Sequence, residues 1–224
     1  MKILKFVGTS MGSIKKIKKV VSLSNDVTPK VIIISATPET VSYLNRISTY
    51  LFNGEIEKAR DAITRLEFNF VDVLNSLLTN DEIKRLAVGY VLDRFAIIWN
   101  LTKNAFTPTE EKIILAQGEL ITASLVHFCL EDQGVSNVLL SSTDFIKLDM
   151  NMEPDIQDLR TKLRANFLLY KKTSRFVIQG NLCINADDEI DIIDAEQSDS
   201  CALLIGTAID AEEILIWKDI DDTV

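Results

Sequence analysis

The run Lys30-Val31-Ile32-Ile33-Ile34-Ser35 sets four branched aliphatic residues side by side. Alternation of apolar and polar residues would let one face of a strand meet water. An unbroken run does not, so this segment reads as a strand covered on both faces, the situation of parallel sheets flanked by helices. The start of the chain repeats the design, with Lys2-Ile3-Leu4-Lys5-Phe6 as a second strand leading into Val7-Gly8-Thr9-Ser10 and then a basic helical stretch. The later run likewise ends in a short turn, Ser35-Ala36-Thr37-Pro38, before a helical pattern. If the two strands are parallel, both turns open on one crevice, where α/β sheets bind ligands. The first turn is a candidate anion cradle: N–H groups of the turn and the helix start converge, the helix dipole adds positive character, and Lys5 supplies a full charge. An ordinary β-α connection capped by Thr9 or Ser10 is the competing reading.

Between about 39 and 133 the chain reads as helix nearly throughout. The segments fall near 39–53, 54–78, 80–103 and 108–133, broken at Asn53-Gly54, Thr79-Asn80 and Thr107-Pro108. Gly118, in Gln117-Gly118-Glu119-Leu120, interrupts a helical pattern at a cost of about 1 kcal/mol against alanine, which implies close backbone approach by another element. An ordinary helix-helix contact would be sufficient reason. Further along, the pattern predicts strands at 137–140 and 175–180, an extended piece at 144–148, and a helix at 153–171. An acidic arm at 187–196, a small-residue helix from Ser198 to Asp210 and a final strand Glu213–Trp217 follow. Lys15, Lys16, Lys18 and Lys19 read as the solvated face of a helix over 10–24.

With 224 residues and 47% hydrophobic composition, one sizeable α/β core is expected. No uninterrupted apolar run reaches bilayer-spanning length and no signal-peptide pattern opens the chain, so the expectation is a cytoplasmic protein without membrane partners. Cys129, Cys183 and Cys201 are widely spaced and read as reduced, buried thiols. His127 sits in an apolar helical run and reads as a packing residue, and no metal cluster is visible. Of the net charge of -9, residues 181–224 carry 13 acidic side chains against one lysine. Such a field argues against nucleic acid as a partner.

Read together, the motifs resemble the catalytic domain of aspartate kinase, in the amino-acid kinase family. Lys5-Phe6-Val7-Gly8-Thr9-Ser10-Met11-Gly12-Ser13 is similar to the family's opening K-F-G-G-T-S-V-G-S, and Val31 to Ala36 to its strand ending in V-S-A. Gln117-Gly118-Glu119-Leu120 resembles the G-E-x-L helix motif. Ser198-Asp199 to Ala202, then Ile216-Trp217-Lys218-Asp219-Ile220-Asp221, resemble G-R-G-G-S-D-x-x-A followed by I-W-T-D-V-D-G. The resemblance implies a three-layer α/β/α sandwich with a mainly parallel central sheet over 1–224, with a helical elaboration at about 39–133. It also implies a nucleotide-binding part from about 181 that is truncated, so that the fold is incomplete at the C-terminus, and it leaves no ACT regulatory domain.

The implied reaction is ATP-dependent phosphorylation of the side-chain carboxylate of L-aspartate, with Mg²⁺ accompanying ATP. By the same resemblance Lys5 would neutralise the transferring phosphoryl group and Asp199 would orient that lysine. Ser35, Glu119 and Ser198 would hold aspartate. Gly8, Thr9, Ser10, Lys218, Asp219 and Asp221 would meet the nucleotide. Departures from the pattern are concentrated at the site. Val7 replaces a glycine, where a β-branched side chain blocks phosphate and disfavours positive φ. Pro38, Glu39 and Val41 stand where the family has glycines and a threonine. Ala195 stands where an arginine would grip a carboxylate bidentately, flanked by Asp194 and Glu196 of the wrong charge.

Impaired or lost catalysis is therefore expected. A non-catalytic module that binds a partner protein is the alternative, and a small-molecule binder of changed specificity is a third. A homodimer or a complex with a partner protein is also expected, because a shortened nucleotide lobe would leave a sheet edge exposed.

Overall fold

The computed structural model describes residues 1–193 and 198–220, and of Ser198 only the backbone. Five parallel strands form the central sheet: β1 (Lys2–Phe6), β2 (Lys30–Ile34), β3 (Val138–Leu139), β4 (Arg175–Gln179) and β7 (Glu213–Trp217), in the order β3-β4-β2-β1-β7. The unbroken apolar run behaves as its composition requires, with every residue of β2 buried. Side chains of successive residues point to opposite faces. Accordingly Leu4, Phe6, Ile32 and Ile34 join one apolar cluster, and Ile3, Val31 and Ile33 join another.

The first cluster is roofed by α1 (Ile14–Ser24), α2 (Pro38–Phe52), α3 (Ile56–Leu77), α4 (Asp81–Leu101) and α5 (Pro108–Asp132). The second is covered by α6 (Ile156–Leu169) and α7 (Ser198–Ala208). The result is the expected three-layer arrangement. The helix starts follow local chemistry. Thr37 accepts from the Thr40 N–H with Pro38 in the first turn, and Thr107 and Glu110 form a capping box ahead of α5.

Several expectations are corrected. The basic helix does not begin at residue 10: Gly8–Met11 form a 3-10 turn, and Ser13, not Thr9 or Ser10, caps α1 by accepting from the Lys16 N–H. Lys16 is not simply solvated. Its ammonium bonds the Thr9 carbonyl at 3.2 Å and Asp219 at 2.8 Å. The extended piece at 144–148 reduces to a 3-10 turn, Ser142–Asp144, and two isolated bridges, Lys147 to Ile184 and Leu148 to Pro154. A hairpin does form at the acidic arm but begins before it, pairing β5 (Leu182–Ile184) with β6 (Ile190–Ile192), because Asn185 accepts from the N–H groups of Asp187 and Glu189 and makes the turn there.

Helix α5 is, by length and mean hydropathy, long and apolar enough to cross a membrane, although Glu119 interrupts its apolar run. Its most apolar 18-residue stretch is 78% buried inside the protein, and the helix is the spine of the helical layer. Gly118 explains how it fits. A Cβ at that position would lie 2.6 Å from Leu44 Cδ1 and 3.2 Å from Thr40 Cγ2, so the glycine lets α5 settle onto α2.

Candidate functional site

Lys5 is next to last in β1, flanked in register by Ile33 of β2 and Ile216 of β7, and is wholly buried. A lysine at the centre of a sheet loses hydration. Burial lowers its ammonium below the ordinary lysine range, and the nearby acidic groups Cys201, Asp199 and Glu119 oppose that shift. Glu119, projecting from the middle of α5, is the buried counter-charge. Its Oε1 accepts from the Ala36 N–H at 3.0 Å and from Asn181 Nδ2 at 3.1 Å. Burial raises its carboxyl above the usual carboxylate range, opposed chiefly by the Ala36 N–H and Asn181 and then by Lys5. Two buried ionisable groups of opposite sign thus lie close enough to influence each other electrostatically without a direct ion pair between them.

The loop after β1 is braced against the chain that follows β7. The Val7 N–H donates to the Trp217 carbonyl, Thr9 Oγ1 donates to the Lys218 carbonyl at 2.6 Å, and Ser10 Oγ donates to the Trp217 carbonyl. Val7 has φ -72° and ψ 161°, so the positive φ that seemed to exclude a β-branched residue is not needed here. Gly8 is constrained by space instead: a Cβ would lie 2.0 Å from the Ala36 carbonyl oxygen. The turns after β1 and β2 therefore touch backbone to backbone, as parallel strands with short turns demand.

Asp199, in the first turn of α7, acts on Lys5 electrostatically, and its carboxylate lies 3.8 Å from Lys218 Nζ. Lys218 is largely exposed. Asp219 pairs with Lys16 and accepts from the Ile220 N–H, and the Lys16 hydrogen bond holds its carboxyl below the ordinary range. Asp221, the Asp194-Ala195-Glu196 segment and the side chain of Ser198 lie outside the described residues. The structure thus brings Lys5, Ser35, Glu119 and Asp199 to the C-terminal ends of the strands. Lys218 and Asp219 lie at the rim.

Sequence reasoning missed Asn181. The signal was available: it follows Gly180 directly after β4, at the same end of the sheet as the two glycine- and serine-bearing turns. A cleft of about 290 Å³ opens on the helical side of the Gly8 loop, lined among others by Ser13, Thr37, Glu39, Tyr43, Asn69 and Asp72. Neither Lys5 nor Glu119 lines it. The ionisable groups that line this cleft, Glu39 and Asp72, are exposed, unlike Lys5 and Glu119.

A sequence model described as "Amino acid kinase family" matches residues 1–222. The chain belongs to the amino acid kinase family. Within it, the chain is 22% identical over 223 residues to the bifunctional aspartokinase/homoserine dehydrogenase 2 of Escherichia coli (strain K12), covering 96% of this chain and 27% of that protein. The bifunctional aspartokinase/homoserine dehydrogenase of Buchnera aphidicola subsp. Acyrthosiphon pisum (strain APS) is 21% identical, covering 99% of this chain and 28% of that protein. The chain therefore spans about a quarter of the curated relatives it matches. Among solved structures, Escherichia coli aspartokinase III in complex with lysine and aspartate superposes with a TM-score of 0.80 at 20% identity, covering 98% of this chain and 49% of that one. The same enzyme with aspartate and ADP gives the same values. Clostridium acetobutylicum aspartate kinase gives 0.75 at 16% identity, covering 98% of this chain and 48% of that one. The chain is an aspartate-kinase-like member of the family, with the expected mainly parallel sheet between helical layers.

Proposed function

We propose that this domain binds L-aspartate and ATP as aspartokinases do and that its phosphoryl-transfer step is impaired. The observation that carries the reading is the burial of both Lys5 and Glu119, in electrostatic reach of each other, at the C-terminal ends of parallel strands beside two closely packed turns. In the reaction an oxygen of the aspartate side-chain carboxylate attacks the terminal phosphorus of ATP, and the bond to the departing ADP oxygen breaks. Such transfer depends on positioning and charge neutralisation. Lys5 would face the transferring group and the Gly8 turn would offer main-chain N–H groups. Ser35 and Glu119 would hold the amino acid, with Ser198 completing the pocket and Asp199 balancing Lys5. Thr9, Ser10, Lys218, Asp219 and Asp221 would line the nucleotide. Mg²⁺ would enter with ATP. Among the described residues no group of three or more His, Cys, Asp or Glu is arranged to hold a metal, so no step is assigned to it.

Impairment is supported by Ala195, which offers no fork for the substrate carboxylate, and by the acidic residues beside it. Incubation with ATP, Mg²⁺ and aspartate, followed by hydroxylamine trapping of the acyl phosphate, is expected to give a weak signal that Lys5→Ala abolishes. Turnover in the ordinary kinase range of about 1–100 per second would refute the impairment. A melting temperature unmoved by saturating ATP would refute the nucleotide site. One observation favours the partner-binding alternative: β7 is an edge strand whose outer side is unpaired among the described residues, with Leu215 and Trp217 only partly buried. Light scattering on the purified chain would detect a dimer formed through that edge.

A further inference from the structure

Three oxygens beside the buried pair have no hydrogen-bond partner: Ser35 Oγ, Glu119 Oε2 and Asn181 Oδ1. They form one group. Glu119 Oε1 is shared by the N–H of Ala36, the residue after Ser35, and by the Asn181 amide. Ser35 Oγ in turn lies 2.4 Å from where a Cβ on Gly180 would be, and Gly180 precedes Asn181. Ser35 and Glu119 are at least 95% buried. A buried polar atom left without a partner is expensive, and three on neighbouring residues call for a bound group. One water could donate to Glu119 Oε2 and Asn181 Oδ1 and accept from the Ser35 hydroxyl, but it brings no charge to set against Glu119. A primary ammonium has three N–H donors and no acceptor, and it also answers the Glu119 charge.

We infer that Asn181 is a specificity-determining residue: its amide holds Glu119 through Nδ2, and its Oδ1 completes with Ser35 and Glu119 a three-acceptor seat that takes a primary ammonium and rejects an N-alkylated one. This rests on the reading of the site as an amino-acid site. A site built on hydrogen bonds to a particular group discriminates strongly against analogues that lack a donor.

The test is calorimetric titration of the intact chain and of Asn181→Leu with L-aspartate, N-methyl-L-aspartate and a panel of primary-amine amino acids, with melting curves for both proteins. Wild type is expected to bind the primary amine at least about tenfold more tightly than its N-methyl analogue. In Asn181→Leu that ratio is expected to fall towards one, with the melting temperature preserved. Unchanged affinity and selectivity in Asn181→Leu would overturn the inference while leaving the aspartate reading intact. Selective, Asn181-dependent binding of another primary amine but not aspartate would overturn the aspartate reading and uphold the inference. If no primary amine on the panel binds the wild type, both fall. Should Asn181→Leu melt early, Asn181→Asp, which keeps acceptor oxygens and loses the donor to Glu119, is the second variant. Retained preference for the primary amine there supports the seat, and loss of all preference overturns the acceptor role.

Discussion

Substituting Gly8 with alanine tests whether the two site turns are locked together by their backbones. The added Cβ would lie 2.0 Å from the Ala36 carbonyl oxygen and 2.9 Å from both the Ala36 carbonyl carbon and Thr37 Cα. A comfortable C···O approach is roughly 3.3 Å, so the turns must part by about 1 Å or more. The obstacle is main chain on both sides, which no rotamer change relieves. Overpacking costs typically about 1–3 kcal/mol, and a backbone obstacle belongs at the upper end, near 3. For a domain of this length that corresponds to a fall in Tm of about 6–12 °C. Gly89→Ala is the matched control, since its Cβ meets nothing within 4 Å on the exposed side of α4, and alanine there is expected to stabilise by up to about 1 kcal/mol. Urea denaturation of the three proteins gives the free-energy differences directly. A Gly8→Ala variant melting within about 2 °C of wild type would refute the reasoning.

Two further predictions follow from ionisable groups. Cys129, Cys183 and Cys201 are buried, and burial pushes each thiol up to about 12. An aromatic disulfide reagent at pH 8 is therefore expected to leave the native protein unlabelled and to react with three thiols in guanidinium, whereas stoichiometric labelling of the folded chain within minutes would contradict the burial. Asp26 receives a 2.6 Å contact from the buried Lys30 ammonium, whose hydrogen bond is the largest cause lowering the Asp26 carboxyl to about 2. Because the folded value lies below the unfolded one, the pair stabilises above pH 4 and that contribution fades as pH falls towards 2. Asp26→Asn is accordingly expected to lower stability at pH 7 and to approach wild type near pH 2. Equal stability losses at both pH values would exclude the charge interaction. The exposure of Asp26 keeps the effect modest.

The elements that sequence placed correctly are those whose pattern is long or chemically forced. The unbroken β2 run could be nothing but a two-sided strand, and the four long helices end within two residues of where Gly, Asn and Pro breaks put them. What could not be read was decided by contacts across the chain. Ser13 takes the cap that Thr9 and Ser10 seemed to offer because those hydroxyls are drawn to the carbonyls of Trp217 and Lys218, some 200 residues away. Lys16 leaves its solvated face for Asp219 for the same reason. Within the site, Lys5 was legible as the charge beside the first turn, and Glu119 was named through the family resemblance. Asn181 carries no motif; its place after Gly180 at the C-terminal end of β4 was the one hint, and its hydrogen bond to Glu119 is what sets it apart.

The position of β1 has a consequence for how the protein is made. It pairs on one side with β2, about thirty residues on, and on the other with β7, where Met1 meets Glu212 across a separation of 211. A ribosome adding about 5–20 residues per second therefore exposes the outer edge of β1, Lys5 included, for on the order of ten seconds or more before its partner exists. During synthesis the strand that carries Lys5 is a sheet edge, open to mispairing with another nascent chain. Lys2 and Lys5 on that strand are charges of the kind that discourage such pairing, and they are buried or paired only once β7 arrives.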